Sequence, residues 1–353
     1  MGTIKVGIIG ANGYSGVELI RLLLSHPFVE LEMVVSHSTS GLNIKEVYPH
    51  LTGIYEMPLE QLEVNEISKR VDLLFFATPS GVSKALLPEF LEKGIPCIDL
   101  SGDFRLKNVA LYKEWYSFEV LPSAQVIEQA VYGLTEKNRE QLKKAKVIAN
   151  PGCYPTATLL GLLPVLSQSV IDPTSIVIDG KSGVSGAGRK ASLSSHFGET
   201  NENLKIYKVG HHQHVPEIEQ MIQEVIGEAH PVPVTFSTHL VPMTRGIMCT
   251  IYANLADHKT MTTEGIVELY HSFYQNDPFI RVRESGVFPA TKEVYGSNYC
   301  DIGLHIDPRT QRLTIVSVID NVVKGAAGQA IQNMNVRYGF EETTGLAFSP
   351  VYP

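Results

Sequence analysis

No stretch of this chain approaches the roughly 20 apolar residues needed to span a bilayer, and nowhere do lysines and arginines gather into a block. Acidic residues outnumber basic ones, 37 to 29, for a net charge of −8. Nucleic acid and anionic membrane surfaces are therefore poor partners. Cysteine is scarce: Cys97, Cys153, Cys249 and Cys300 lie far apart, with no CxxC pair. That argues against a disulfide framework and against a cysteine-rich zinc site, and it fits a reducing cytoplasm. The opening MGTIKVGIIG carries a lysine inside a strand pattern, where a signal peptide would carry an apolar core. Internal repeats and low-complexity linkers are lacking too.

What is present is an ordinary globular mix, 44% hydrophobic and 19% charged, over 353 residues. That length suffices for two domains with cores of their own. In the first half, IKVGIIG (4–10), LEMVVSHS (31–38), VDLLFFATP (71–79), IPCIDLSG (95–102) and KVIANPG (146–152) read as strands. VELIRLLLSH (17–26) and SGVSKALLPEFLEKG, with Gly94 near its end, read as helices between them. Strand and helix in turn predict an α/β protein with a doubly wound, Rossmann-type parallel sheet. After a helix over 156–167 the texture changes to long β-rich runs: TSIVIDGKSG, VTFSTHLVPMTRGIMCTIYANL, FIRVRES and CDIGLHIDPRTQRLTIVSVID. These predict an α+β domain around a largely antiparallel sheet, for substrate and oligomer contacts. GAAGQAIQNMNVRYGF (325–340) reads as a helix returning to the first domain. The expected division is 1–152 plus 325–353 for the nucleotide domain and 153–324 for the second.

Gly10-Ala11-Asn12-Gly13-Tyr14-Ser15-Gly16 follows the first strand and opens the first helix. Glycines there permit a tight turn and let a pyrophosphate approach the backbone N–H groups of a helix N-terminus. The GxxGxxG spacing is one residue off the dinucleotide fingerprint, and a plain glycine-rich βα turn is its other reading. An NAD site wants a carboxylate at the end of the second strand, for the ribose hydroxyls. Here that end reads Val35-Ser36-His37-Ser38-Thr39-Ser40, while Glu30 and Glu32 sit at the strand's start. Hydroxyls and a histidine suit a 2′-phosphate, so the expected cofactor is NADP.

Three of the cysteines fall inside apolar strand patterns, where an inert buried thiol is the default. Cys153 sits instead in Asn150-Pro151-Gly152-Cys153-Tyr154-Pro155-Thr156, at a strand-to-helix junction. Helix N-terminal amides favour a thiolate, the nucleophilic form. Pro151 and Pro155 stiffen the approach, Gly152 permits a bend, and the Thr156 hydroxyl is placed to cap or to bind an anion. A nucleophilic thiol beside a nicotinamide cofactor points to acyl transfer onto sulfur followed by hydride reduction to an aldehyde. Such chemistry needs an acid/base and a cationic pocket. His211, His212 and His214 precede the helix PEIEQMIQEVIG. Their HxH pair also reads as a metal pair or as an idle surface run, but no carboxylate or thiol cluster completes a zinc shell, so no metal is expected. Lys181 and Ser185 lie in the cationic, glycine-rich loop GKSGVSGAGR, suited to phosphate or carboxylate. Arg105, in SGDFR, can grip an anion or pair with Asp103.

These motifs in this order resemble the N-acetyl-γ-glutamyl-phosphate reductase family over almost the whole chain. The resemblance rests on GANGYSG, SGDFR, NPGCYPT, GKSGVSGAGR, HHQHVPEIEQ and NVVKGAAGQA. It implies reduction of N-acetyl-L-glutamyl 5-phosphate by NADPH, with Cys153 carrying the acyl group, His212 or His214 as acid/base, and Glu217 orienting one of them. It implies cofactor contacts from Gly10, Asn12, Gly13, Tyr14, Ser15, Gly16, Ser36, Ser38, Pro79, Ser182, Gly183 and Asn321. Substrate contacts would come from Arg105, Asn150, Lys181, Ser185, Glu202, Asn203 and Tyr207. The wider family includes aspartate-semialdehyde dehydrogenase, and an aspartyl or aminoadipyl phosphate is the alternative substrate. A nucleotide sensor on the same fold is the alternative of another kind, and it predicts a decayed cysteine or histidine segment. Homodimers or homotetramers through the second sheet are expected, in the cytoplasm. One departure stands out: Gln213 lies between the two histidines, where the family commonly has arginine.

Overall fold

The computed structural model describes residues 2–228, 232–256 and 261–353, which divide into two units. The first comprises Met1–Pro151 and Ala326–Ala347; the second comprises Gly152–Gly325 and Phe348–Pro353. The last six residues, expected with the nucleotide domain, group with the second unit, where the Val351 N–H donates to the Tyr295 carbonyl.

The first unit is built on seven strands: β1 (Ile4–Ile9), β2 (Val29–Val35), β3 (Leu59–Glu60), β4 (Leu73–Phe76), β5 (Cys97–Asp99), β6 (Ala130–Tyr132) and β7 (Val147–Ala149). They pair in parallel in the order β3-β2-β1-β4-β5-β7-β6. Helices cover both faces of such a sheet, so its strands read as unbroken apolar runs rather than as alternations. LLFF in β4 is buried at every position. Strand order reverses between β1 and β4, and the crevice at such a reversal is where open α/β sheets take ligands. The turn after β1 and the residues after β4, Ala77 to Pro79, form this edge. Helix Gly328–Tyr338 belongs to the same unit, tied in by buried amides: Asn333 donates to the Gly133 carbonyl at 2.8 Å and to Asn150 Oδ1 at 3.0 Å.

The second unit contains β8 (Val177–Gly183), β9 (Lys205–Tyr207), β10 (Thr235–Val241), β11 (Ile247–Asn254), β12 (Ile280–Val282), β13 (Cys300–Asp307) and β14 (Arg312–Ile319). Their order is β12-β13-β14-β11-β8-β10-β9. Four of the pairings are antiparallel, and β12 with β13 and β8 with β10 are parallel. In β10 and β11, buried residues alternate with half-buried or exposed ones, the mark of a sheet with one face on the core. Helix Cys153–Ser167 lies on the core face: a Cβ added at Gly161 would stand 3.2 Å from Ile251 and Ile315. Thirteen consecutive residues of this helix, Tyr154 to Leu166, are buried. Pro164 within it has no N–H for the Leu160 carbonyl; the buried Tyr274 hydroxyl donates to that oxygen instead, at 2.5 Å. The helix begins at Cys153, three residues earlier than expected, because proline is tolerated in a first turn whose N–H groups have no helical acceptor.

Candidate active site

In the first unit the three glycines of the opening turn serve different ends. Gly10 has φ +91°, and a Cβ there would lie 2.5 Å from the Ala77 carbonyl oxygen. At Gly16 a Cβ would lie 2.5 Å from the Gly10 oxygen, so glycine lets helix Tyr14–Leu23 close on the turn. Gly13 is different. It is the N-cap of that helix without a side-chain cap, and a Cβ there would meet nothing nearer than 3.6 Å. Protein packing does not require glycine at this position, whereas a pyrophosphate pressed on the helix N-terminus would. Tyr14 is exposed and Ser15 half-buried at the same helix start.

Beyond β2, Asn12 Nδ2 donates to Ser38 Oγ at 2.9 Å, which ties the glycine turn to the SHSTS segment. Ser38 and His37 are exposed. Ser36 is not available in the same way: it is buried, and its hydroxyl is bonded to Thr39 Oγ1 at 2.8 Å. Pro79 is exposed after β4, at the same edge of the sheet. This residue set fits a dinucleotide whose ribose carries a 2′-phosphate: a cradle at Gly13, and hydroxyls where an NAD site would present a carboxylate.

Two residues of this unit expected to contact substrate are hydrogen-bonded within the protein. Asn150 is fully buried with each polar group engaged: its N–H donates to the Asp99 carbonyl, Nδ2 donates to the Ala326 carbonyl, Oδ1 accepts from Asn333, and its carbonyl accepts from Arg105 Nε. Arg105, 6% exposed, is anchored on the carbonyls of Asn150 and Leu100, at 2.7 and 3.1 Å. Asp103 caps helix Ser83–Glu92 from outside, accepting from Ser80 Oγ and from the N–H groups of Gly81 and Lys84.

In the second unit Cys153 is the first residue of its helix and half-buried, with Gly152 as N-cap. The other three thiols are buried. Burial pushes Cys249 up to about 12 and Cys97 well above its ordinary value, so neither supplies a thiolate. Around Cys153 the packing is close: a Cβ at Gly325 would stand 2.8 Å from Cys153 Cβ, and a Cβ at Gly152 would stand 2.4 Å from His214 Nε2. The imidazole of His214 therefore lies against the backbone that immediately precedes the thiol. Thr156 neither caps nor faces an anion: its hydroxyl is buried and donates back to the Gly152 carbonyl at 2.9 Å.

His214 is itself the N-cap of helix Val215–Ile226, and Glu217 stands in that helix's first turn. Glu217, fully buried, accepts the Gly152 N–H at 2.8 Å and so ties the two helix starts together. A buried amide left without an acceptor would cost about 1–3 kcal/mol. His212 is also buried; its Nδ1 accepts the His214 N–H at 3.1 Å, and the two rings lie tilted at 54° with centroids 4.6 Å apart. Burial, helped by the charge of Lys208, pushes His212 down to about 3, so the ring is neutral throughout the working pH range. Tyr154, Tyr207 and Phe236 set their rings edge-on around it at 5.5–5.7 Å. The Tyr207 hydroxyl donates to the Tyr154 hydroxyl, which donates to the His239 carbonyl. Burial pushes Tyr207 up to about 12 and Tyr154 further, so both remain protonated donors. His211 is exposed, apart from this group.

The remaining expected contacts divide. Asn321 receives the Gly246 N–H on Oδ1 at 2.7 Å and donates from Nδ2 to Ser185 Oγ at 2.9 Å, which pins the loop after β8. Ser182 is buried, donating to the Gly183 carbonyl. The Gly183 N–H goes to the Gly246 carbonyl, and a Cβ at Gly183 would strike the Thr244 oxygen at 2.8 Å. Lys181 is paired with Asp179 at 2.6 Å, so its charge is compensated within the protein. Glu202 and Asn203 are exposed, and Asn203 donates to the Glu199 carbonyl. The sequence reading passed over Phe236, Lys208 and the neighbour role of Tyr154. Tyr154 stood inside the cysteine motif and could have been found there; a lone Phe in a strand pattern gives no signal.

The family model described as "Semialdehyde dehydrogenase, NAD binding domain" matches residues 5–145, and "Semialdehyde dehydrogenase, dimerisation domain" matches residues 153–321. The N-acetyl-gamma-glutamyl-phosphate reductase of Geobacillus kaustophilus is 56% identical over 349 residues, covering 99% of this chain and 100% of the relative. That of Bacillus subtilis is 52% identical with the same coverage. Among solved structures, aspartate semialdehyde dehydrogenase II of Vibrio cholerae superposes with a TM-score of 0.72 at 18% identity, over 96% of this chain and 99% of its own. The Candida albicans aspartate semialdehyde dehydrogenase with NADP gives 0.68 at 17%, over 95% and 98%. At such identities these two structures speak for the fold.

Proposed function

The chain belongs to the N-acetyl-γ-glutamyl-phosphate reductases of the semialdehyde dehydrogenase family, and from that membership we propose that it reduces N-acetyl-L-glutamyl 5-phosphate. NADPH is the reductant, N-acetyl-L-glutamate 5-semialdehyde and phosphate are the products, and the step belongs to arginine biosynthesis. The observation that carries the site assignment is Cys153, the one thiol of the four that is not buried, at the first position of a helix whose N-cap lies against His214.

Cys153 attacks the acyl carbon as a thiolate, which the amides and dipole of its helix N-terminus favour. The carbon–sulfur bond forms as the bond to the phosphate oxygen breaks, and phosphate departs. His214 takes the proton from the thiol and hands it to the departing phosphate. His212 does not compete for that proton, because burial makes its ring a weak base and its Nδ1 already accepts the His214 N–H. Glu217 acts as a positioning residue through Gly152. When bound, NADPH supplies the hydride that reduces the thioester carbon. Cys153 then leaves that carbon as thiolate, which yields the aldehyde and restores the site. Gly13 receives the pyrophosphate, Gly10 and Gly16 let the turn and helix close behind it, and Ser38 with Asn12 receives the 2′-phosphate.

The chain works as a homo-oligomer, with the homodimer as its unit and the half-exposed face of the β8–β14 sheet as the surface buried. The alternation of β10 and β11, which leaves Thr250, Tyr252 and Ser237 half-buried on that face, supports this. Light scattering should give twice the 38.9 kDa chain mass, or four times it for a tetramer; a monomer at micromolar concentration would remove the proposal. Four free cysteines suit a cytoplasmic location.

The reaction is tested in reverse. N-acetylglutamate semialdehyde, phosphate and NADP are mixed with the protein, and NADPH absorbance is followed, with NAD and aspartate semialdehyde as controls. A phosphate-dependent signal preferring NADP and the acetylated aldehyde is expected. Signal on another semialdehyde alone would move the substrate, and silence on all would remove the role of Cys153.

A further inference from the structure

The histidine pocket carries a cation that the motif itself lacks. Lys208 follows β9 with φ +48°, in the left-handed region that a residue with a side chain enters only where its surroundings hold it. From that turn its Nζ donates to Gln213 Oε1 at 2.6 Å. Gln213 stands between His212 and His214 in the sequence. Glutamine there brings no charge of its own, but its amide oxygen fixes a charge that comes from five residues upstream.

The partner chosen for this lysine matters. Lys5, Lys45, Lys69, Lys143 and Lys181 each face a carboxylate, which cancels the charge locally. Lys208 faces a neutral amide, so its charge is undiminished, and two of its three ammonium protons remain for a further acceptor. Partial burial lowers its pKa, and its field reaches into the pocket far enough to help hold His212 neutral. A strained backbone, an ammonium held by a neutral amide, and a charge that is felt at His212 together describe half of an anion site.

We propose that Lys208, presented by Gln213, is the cation that receives an anionic group of the substrate at the histidine pocket. This rests on the reaction assigned above, whose substrate offers two such groups, a phosphate at the reacting end and a carboxylate at the other. Lys181 is the weaker candidate for this task because Asp179 already neutralises it.

The test reads protection of Cys153 from iodoacetamide, a neutral reagent indifferent to the lysine charge, and so does not depend on turnover. Inorganic phosphate and N-acetyl-L-glutamate serve as the two probe anions, on the full-length protein and on the variants Lys208→Met, Lys208→Arg and Lys208→Met/Gln213→Arg. In the unmodified protein at least one anion slows labelling. In Lys208→Met the concentration of that anion needed for half-protection rises about 10- to 100-fold, the size of one charge-assisted hydrogen bond, while NADP affinity is unchanged. Lys208→Arg, and the double variant that moves the cation to position 213, return to within about threefold, as expected of a site that needs charge at one place. The anion whose protection is lost identifies the group recognised. The proposal is overturned if neither anion protects the unmodified protein, if Lys208→Met keeps protection within twofold, or if Gln213→Arg fails to restore it. Lysine-dependent protection in a protein that turns over no semialdehyde would remove the assigned reaction and leave the anion site standing.

Discussion

Two helices of this chain begin after a strand and a glycine, and they use their N-termini in opposite ways. Helix Tyr14–Leu23 starts at Gly13 with no side-chain cap and with room beside the N-cap. Helix Cys153–Ser167 starts at Gly152, whose N–H is taken by the chain's own Glu217 and whose Cα is crowded by His214. In the function proposed above, the first is an anion site kept open for a ligand. The second is closed by protein, and the anion it favours is covalently part of the chain, the thiolate of Cys153. A helix N-terminus therefore does not announce its use by its dipole. What fills the space around the N-cap decides whether the positive end serves binding or reactivity.

The largest effect that would separate the two is loss of the sulfur. Cys153→Ser should lower turnover by about 10⁴-fold or more, since removing a nucleophile removes the covalent route altogether. NADP affinity, measured by fluorescence titration, should stay within about twofold, because Gly13 and its neighbours are untouched. Retention of a tenth of the activity would mean that the second junction is not a nucleophile site.

Alanine at each N-cap sharpens the contrast. Gly152→Ala puts a methyl group where His214 Nε2 now lies, 2.4 Å away, so the imidazole must move. A displaced acid/base group costs about 10²-fold in kcat, with NADP affinity preserved. Gly13→Ala meets only ordinary contacts, at 3.6 Å and beyond, so the melting temperature should shift by less than about 2 °C. NADPH binding should nevertheless weaken about tenfold, because the methyl group occupies the approach of the pyrophosphate. If Gly13→Ala instead lowers kcat and leaves cofactor binding intact, the two junctions have been assigned the wrong way round.

A smaller effect concerns the closed junction alone. His212 is a base whose pKa in the folded protein, about 3, lies below its unfolded value near 6.5. Between those values the unfolded chain binds more protons, so stability contributed by the neutral ring is complete above pH 6.5 and falls as pH drops toward 3. From pH 7 to pH 5 the loss is about 2 kcal/mol, at ~1.4 kcal/mol per unit below 6.5. His212→Asn should flatten that part of the urea-unfolding profile. An unchanged slope would show that the ring is not held neutral.

Much of this arrangement was legible in the sequence because it depends on local rules. Alternating apolar runs gave the parallel sheet, and Cys153 declared itself by standing outside any strand pattern. Gly13 and Gly10, identical as letters, separate only once Ala77 is brought next to one of them. Thr156 read as a cap or anion ligand, but the helix starts earlier than a motif with two prolines suggests, and the hydroxyl bonds backward inside it. Asn150 read as a substrate contact, and its partners Asp99, Asn333 and Ala326 are distant in sequence. Glu217 read as orienting one of the histidines, and its carboxylate accepts the Gly152 N–H, 65 residues away. Polar side chains in a motif are equally suited to ligand or to backbone, and only long-range packing tells which they serve.

The smallest expected effect tests the open junction at its far end. Ser36 and Ser38 follow the same strand and look interchangeable in SHSTS, yet burial separates them. Ser36 is 2% exposed and its hydroxyl is bonded to Thr39, so Ser36→Ala removes a turn contact and should cost about 1 kcal/mol of stability without altering the choice of cofactor. Ser38 is exposed and held by Asn12, the residue that links it to the glycine turn. Ser38→Ala should leave stability alone and raise KM for NADP about three- to tenfold while KM for NAD is unchanged, the cost of one ordinary hydrogen bond at an exposed position where water competes. Equal changes for the two cofactors would place the 2′-phosphate elsewhere, and the open helix start would then be a pyrophosphate site alone, with NADP selected by residues outside the SHSTS turn.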